Sequence, residues 1–123
     1  MNDAAREHWK DEPEEHDFPA AADYLSLHWP EAQAAAIVDA LRLAPTVSRK
    51  AKDLLRASGL PLLGPEDLAV RKDLEKVAAG RALSPVLLVR ATPLLIADGY
   101  HRICASYHLD ENAEIRCRLV DGR

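Results

Sequence analysis

The stretch Leu94-Leu95-Ile96-Ala97-Asp98-Gly99-Tyr100-His101-Arg102-Ile103-Cys104-Ala105 decides how this chain is read. Leu94 to Ala97 follow Pro93 directly as an apolar run. It is too short for an independent helix and suits a buried strand. Asp98-Gly99 breaks the run, and from His101 to His108 the period becomes helical, with Ile103, Cys104 and Tyr107 on one face. A strand therefore enters a helix through one tight turn, where Gly99 permits close approach of another group to the backbone. The first turn of such a helix exposes unpaired N–H groups and the positive end of its dipole. His101 and Arg102 add two side-chain donors there. Amides, imidazole and guanidinium together suit a phosphate or another anion. Asp98 fits a helix cap, a metal ligand or a general base. The same residues also fit a plain turn, with Asp98 as cap, Arg102 as a surface cation and His101 as a polar turn residue.

Upstream, Val86-Leu87-Leu88-Val89 follows Ser84-Pro85 as a second apolar strand. Ala91-Thr92-Pro93 is short enough to close a hairpin between the two. Glu114 to Val120 alternates, with Ile115, Cys117 and Leu119 facing one way and Glu114, Arg116 and Arg118 the other. That is a half-buried strand. Arg116 and Arg118 extend the anion site only if their face lines the same cleft; an ordinary surface role is the simpler expectation. Arg71 to Ala79 reads as a helix presenting Leu74, Val77 and Ala78 and closed by Gly80. Leu60 to Val70, punctuated by Pro61, Gly64 and Pro65, reads as a connector with a short strand at Leu60 to Leu63.

Phe18 to Gly59 reads as helical. Pro19 suits the first turn of a short helix carrying Tyr24, Leu25 and Leu27. Pro30 opens a second helix, with Pro45 just beyond it and Ala34, Ile37, Val38 and Leu41 as its buried stripe. Ser48 is a good N-cap for a third helix and Gly59 a good C-terminal stop. Ala51, Leu54 and Leu55 would face inward there and Arg49, Lys50, Lys52 and Arg56 outward. Those four cations are read as a solvated face ahead of a nucleic-acid patch, because no aromatics interleave them. Tyr24, Leu25 and Trp29 are read as core or staple packing.

The chain has 123 residues, 48% hydrophobic and 29% charged, with net charge −4. This is one ordinary domain with a real core rather than a disordered segment. A globally basic nucleic-acid binder is disfavoured. No apolar stretch approaches the ~20 residues of a membrane span, and the N-terminus has no signal-peptide pattern, so a soluble, cytoplasmic protein is expected. Residues 1–17 hold seven acids against Arg6 and Lys10, a net −5 that leaves the remainder at +1. This segment is read as a flexible acidic tail, and His8 and His16 within it as solvated. Cys104 and Cys117 lack metal-type spacing and fall on faces expected to be buried, so core thiols are expected. His101 and His108 stand two helical turns, about 10 Å, apart and cannot share one metal ion. No Walker loop, Gly-x-Ser-x-Gly elbow or His-Glu-x-x-His motif is present.

From about Leu74 to Val120 the chain resembles the ParB/sulfiredoxin-like superfamily. The resemblance rests on a helix, the strand in Leu83-Ser84-Pro85-Val86-Leu87-Leu88-Val89, then Ala97-Asp98-Gly99-Tyr100-His101-Arg102 opening a helix, and a closing strand at Ile115 to Val120. ParB-like domains carry Gly-x-x-Arg at this turn, sulfiredoxins Gly-Cys-His-Arg, and free serine kinases of the superfamily Asp-Gly-His-His-Arg. In these relatives the turn holds nucleotide phosphates. The resemblance therefore implies phosphate contacts for Gly99, Tyr100, His101 and Arg102 and carries Asp98 over from the kinase form. Tyr100 stands where sulfiredoxin has its reactive cysteine, so that sulfur chemistry is not expected; a phenol with a pKa near 10 does not replace a thiolate. Tyr100 also replaces a histidine of the kinase motif. No helix-turn-helix module follows the domain, so a partition role on its own is not expected.

The resulting expectation is an α+β fold. Residues 18–123 form a single ParB/sulfiredoxin-like domain, with a helical extension over 18–59 and a core over 60–123. A small mixed sheet carries the N-terminal helical layer. The expected function is nucleotide or phosphate binding, extending to transfer or hydrolysis of a phosphoryl group. Asp98 and His101 are then the candidate catalytic residues, and a nucleoside triphosphate with Mg²⁺ the cofactor. No protein-built metal site is expected. Glu66 and Asp67 are alternative acceptor-activating groups without a motif behind them. The alternative function is a non-catalytic interaction or regulatory module, docking a protein through helices in 18–59 or associating with DNA.

Overall fold

The computed structural model describes residues 8–122. Five helices and four strands follow in the order α1 (Asp17–Leu25), α2 (Glu31–Leu43), β1 (Val47–Lys50), α3 (Ala51–Ser58), α4 (Leu68–Ala78), β2 (Val86–Arg90), β3 (Leu95–Asp98), α5 (Tyr100–Leu109) and β4 (Glu114–Asp121). The strands form one mixed sheet in the order β1-β4-β2-β3. β4 runs antiparallel to β1 and parallel to β2, and β2–β3 is an antiparallel hairpin. This is the expected small α+β architecture. Among the described residues no helix is long and apolar enough to cross a membrane.

Helices cover both faces of the sheet, and the strand sequences show why. Val86 to Val89 of the central strand β2 are all fully buried, as a continuous apolar run requires. Val86 and Leu88 join Ile96, Ile115 and Cys117 in a core with Leu54, Leu55, Val70 and Ile103 of α3, α4 and α5. Leu87 and Val89 point the other way and meet Phe18, Leu25, Ile37 and Leu41 of α1 and α2. The buried stripe of α2 is Ala34, Ile37, Val38 and Leu41, the set its helical spacing predicts. Gly59 ends α3 in the left-handed region, at φ 69°.

Four local expectations are corrected. Val47–Lys50 is a strand paired with β4, so α3 starts at Ala51, and Ser48 does not cap it. Pairing to the alternating β4 edge overrides the capping signal; Arg49 and Lys50 consequently lie on β1, and only Lys52 and Arg56 on α3. The Leu60–Leu63 segment forms no strand. It is instead strapped to α5, whose Tyr100 hydroxyl donates to the Pro61 carbonyl and whose His108 Nε2 lies 2.7 Å from the Leu63 carbonyl. α4 begins three residues earlier than predicted, because the Asp67 carboxylate accepts from the N–H groups of Ala69 and Val70 at 3.0 and 3.1 Å, an N-cap that the Pro- and Gly-rich lead-in conceals. Leu27 lies beyond the end of α1 and is exposed.

The described part of the acidic N-terminal segment is docked. Trp9 is 6% exposed. It bridges Leu83, and the Leu83 N–H and carbonyl bond to His8 and Lys10 at 2.8 Å each. Asp17 is the buried first residue of α1. One tryptophan and one buried carboxylate outweigh the charge of the run. Residues 1–7 lie outside the described part of the chain.

Candidate functional site

The strand-to-helix turn lies at the C-terminal end of the edge strand β3, where both helical layers meet. A cleft of about 380 Å³ opens there. Its walls come from Asp98 and Gly99 of the turn, His101 and Arg102 of α5, Asp17 of α1, Ser84 ahead of β2, and Lys72, Asp73 and Lys76 of α4. Of the five motif residues, Asp98, Gly99, His101 and Arg102 therefore share one cavity. Tyr100 does not line it; its ring turns toward the 60–63 strap, and its phenol titration is raised, first by burial and then by the neighbouring Cys104 thiol.

Gly99 is required twice over. Its φ of 110° is one that L side chains rarely adopt, and a Cβ there would stand 2.4 Å from Val86 Cγ1. The glycine lets the start of α5 lie against β2. No side chain caps this helix, and Gly99, His101 and Arg102 at its start line the cleft.

Asp98 is not the cap. Its Oδ2 accepts from Arg102 Nη2 at 2.7 Å. Arg102 Nη1 donates to the Ser84 carbonyl at 2.6 Å and also to the Ser84 hydroxyl. Its third neighbour is Asp17, with Oδ2 3.9 Å from Nη1. The Asp17 carboxylate also accepts from the Glu14 N–H at 3.0 Å and lies 3.5 Å from His16 Nε2. Arg102 is thus neither a surface cation nor a free anion ligand. It is a partly buried guanidinium held between two carboxylates and Ser84.

A sheet irregularity brings the two carboxylates together. Leu88 pairs with Ile96, yet Leu87 pairs with Asp98, leaving Ala97 as an extra residue. Such a bulge re-aims the side chains beside it. Strict alternation from Ile96 would send Asp98 to the α3–α5 face, whereas the bulge turns it toward α1 and Asp17. Burial raises the Asp98 titration; Arg102 lowers it, and the Asp17 carboxylate raises it further. Asp73 on the opposite wall is also raised by burial, against the lowering pull of Lys76, Arg102 and His101.

Arg116 and Arg118 do not extend this site. Arg116 donates to Ser48 Oγ at 3.0 Å, and Arg118 reaches the C-terminal carbonyls of α2. Asp67 is spent as the α4 cap, and neither it nor Glu66 lines the cleft. Lys72 and Lys76 were missed in the sequence. Their spacing of four on one face of α4 is a readable signal, but only the packing of α4 against α5 aims that face at the turn. Among the described residues no three His, Cys, Asp or Glu side chains form a metal-holding group.

Cys104 and Cys117 are buried free thiols. Burial pushes Cys117 up to about 11 and also raises Cys104. No protein-family model matches the chain, and neither a curated protein nor a solved structure matches it significantly.

Proposed function

We propose that the protein binds a phosphate-bearing small molecule, a nucleotide in the first instance, in the cleft at the start of α5. One observation carries this reading: an uncapped helix N-terminus opens into a cleft whose walls also present Lys72, Lys76 and His101. Amides and the helix dipole favour an anion there, and two lysines and an imidazole add mobile donors. Arg102 supports the site indirectly by holding Asp98 away from the anion. The reading keeps the phosphate contacts that the resemblance to ParB/sulfiredoxin-like proteins implies for Gly99 and His101, and departs from it at Arg102, whose guanidinium is taken up by Asp98, Asp17 and Ser84. Any Mg²⁺ would arrive with the nucleotide phosphates rather than on a set of protein ligands.

Calorimetric titration with phosphate, ADP, ATP, CTP and GTP, with and without Mg²⁺, tests the proposal. Binding is expected, with a loss of about tenfold or more in Lys72→Ala/Lys76→Ala, since each charge-assisted contact is worth roughly 1.5–3 kcal/mol. A folded wild type that binds none of them overturns it. Turnover that disappears in Asp98→Ala while binding persists would extend the reading to phosphoryl transfer. A second reading is a docking module, favoured by the exposure of Leu27 and Leu43 on the α1–α2 layer. Loss of a protein partner on Leu27→Ser/Leu43→Ser, with nucleotide binding intact, would support it.

A further inference from the structure

Three charged groups meet in the wall of the cleft, and among themselves they do not balance. The Asp17 side chain is 6% exposed, Asp98 21% and Arg102 13%. Two carboxylates flank one guanidinium, so with all three ionised the cluster holds a net negative charge in a place with little water. Burying an uncompensated charge is costly, and a carboxyl pair meets that cost by keeping a proton.

The surroundings do not remove the excess. From α1 and the turn before it, His16 lies near Asp17 on the solvent side, and Glu14 is already paired with Lys10 at 2.9 Å. From α5, His101 is exposed in the cleft. From α4, Lys72 and Lys76 line the cleft together with Asp73, and neither lysine forms an ion pair with Asp17 or Asp98, whose one cationic partner in the cluster is Arg102. From the lead into β2, Ser84 is neutral and accepts from Arg102.

We propose that Asp98 keeps a proton shared toward Asp17 across the Arg102 guanidinium, and that this proton gates anion binding in the adjoining cleft. This rests on the anion-site reading above and adds its regulation. Protonated, Asp98 donates to Asp17 while its Oδ2 still accepts from Arg102, and the cluster is neutral. Deprotonated, it places a negative charge beside the amides that start α5 and opposes an incoming anion. Asp17 gives the same proton a second role, because it ties the first turn of α1 to the core. Anion affinity therefore falls as pH rises through the Asp98 titration, by up to about tenfold per pH unit, the limit for one linked proton.

The test uses sulfate, whose charge is constant over the relevant range, titrated into the full chain from pH 4 to 9. Carboxyl ¹³C NMR follows Asp98 in the ligand-free protein. Asp98 should titrate above the ordinary carboxylate range, and sulfate affinity should fall with the same midpoint. Asp98→Asn, which still accepts from Arg102 and donates to Asp17, should bind sulfate with a flattened pH profile. Asp17→Asn should return Asp98 toward ordinary titration, a check that stands even if Asp98→Asn folds poorly. Sulfate binding with Asp98 titrating normally, or with an unaltered profile in both variants, overturns the proposal while leaving the anion site standing. Absence of sulfate binding at every pH overturns the anion site itself, and the gating with it.

Discussion

Arg102 and Arg118 are both largely buried arginines, yet they are satisfied in opposite ways. Arg118 is 8% exposed. It donates to the Leu41 and Arg42 carbonyls at 3.2 and 2.7 Å and to Thr46 Oγ1 at 3.1 Å. Its partners are neutral oxygens, and the cation sits at the negative end of α2, where a positive charge is favourable. Its geometry is closed. Arg102 sits at the positive end of α5, where a cation gains nothing from the dipole, and it is held there by Asp98 and Asp17. Its cluster borders an open cleft and carries one carboxylate too many. The first arginine ties a helix end to a strand; the second maintains a charge balance beside a cavity.

Four measurements separate the two arginines and their surroundings. Arg102→Met should cost about 3–5 kcal/mol near neutral pH, because two buried carboxylates lose their counter-charge. The loss should shrink as pH falls. Burial raises Asp98 in the folded state, so the native chain binds a proton that the unfolded chain releases. That contribution is present below the ordinary carboxylate range of about 4 and is lost as pH rises through the native Asp98 titration. Urea denaturation from pH 4 to 8 reads this slope, and a pH-independent loss would show that the pair is balanced elsewhere.

Gly99→Ala should destabilise by about 3 kcal/mol, from its left-handed backbone and the Val86 clash together. Gly59→Ala, at positive φ with nothing within 4 Å of the added carbon, should cost only about 1 kcal/mol. Equal losses at the two glycines, by urea denaturation, would remove the argument that β2 crowds the start of α5. Arg118→Met should cost about 2 kcal/mol by leaving α2 carbonyls unpaired, with no pH dependence between 5 and 8 and no effect on ligand binding in the cleft. A pH-dependent loss there would erase the distinction between the two arginines. The smallest expected signal is chemical: Cys104 and Cys117 should react with a thiol reagent only on unfolding, because burial raises both thiols. Rapid labelling of either native thiol would contradict the packing around β4 and α5.

Much of this was legible in the residues. The unbroken Val86–Val89 run gives a strand buried on both faces, and the alternation of Glu114 to Val120 a half-buried one. The period of α2 identifies its buried stripe, and Gly59 its neighbour's stop. Asp98, Gly99, His101 and Arg102 were recognisable as a cluster because a turn between strand and helix leaves them no room to separate. Legibility failed where a distant partner outweighed a local signal. Ser48 looks like a helix cap until β4 recruits Val47–Lys50 into the sheet, and Trp9 and Asp17 look like parts of a solvated run until Leu83 and Arg102 dock them.

The order of strands and helices around the turn follows from the residues alone, since periodicity and chain breaks are local and fix which face of each element is apolar. The charge arrangement of the cleft comes from long-range packing. The Ala97 bulge, a matter of cross-strand register, swings Asp98 to the α1 side. The packing of α1 on β3 then brings Asp17 to Arg102, 85 positions away along the chain, and the packing of α4 on α5 brings Lys72 and Lys76 to the opposite wall. Electrostatic balance depends on distances in space, which residue spacing along the chain does not encode.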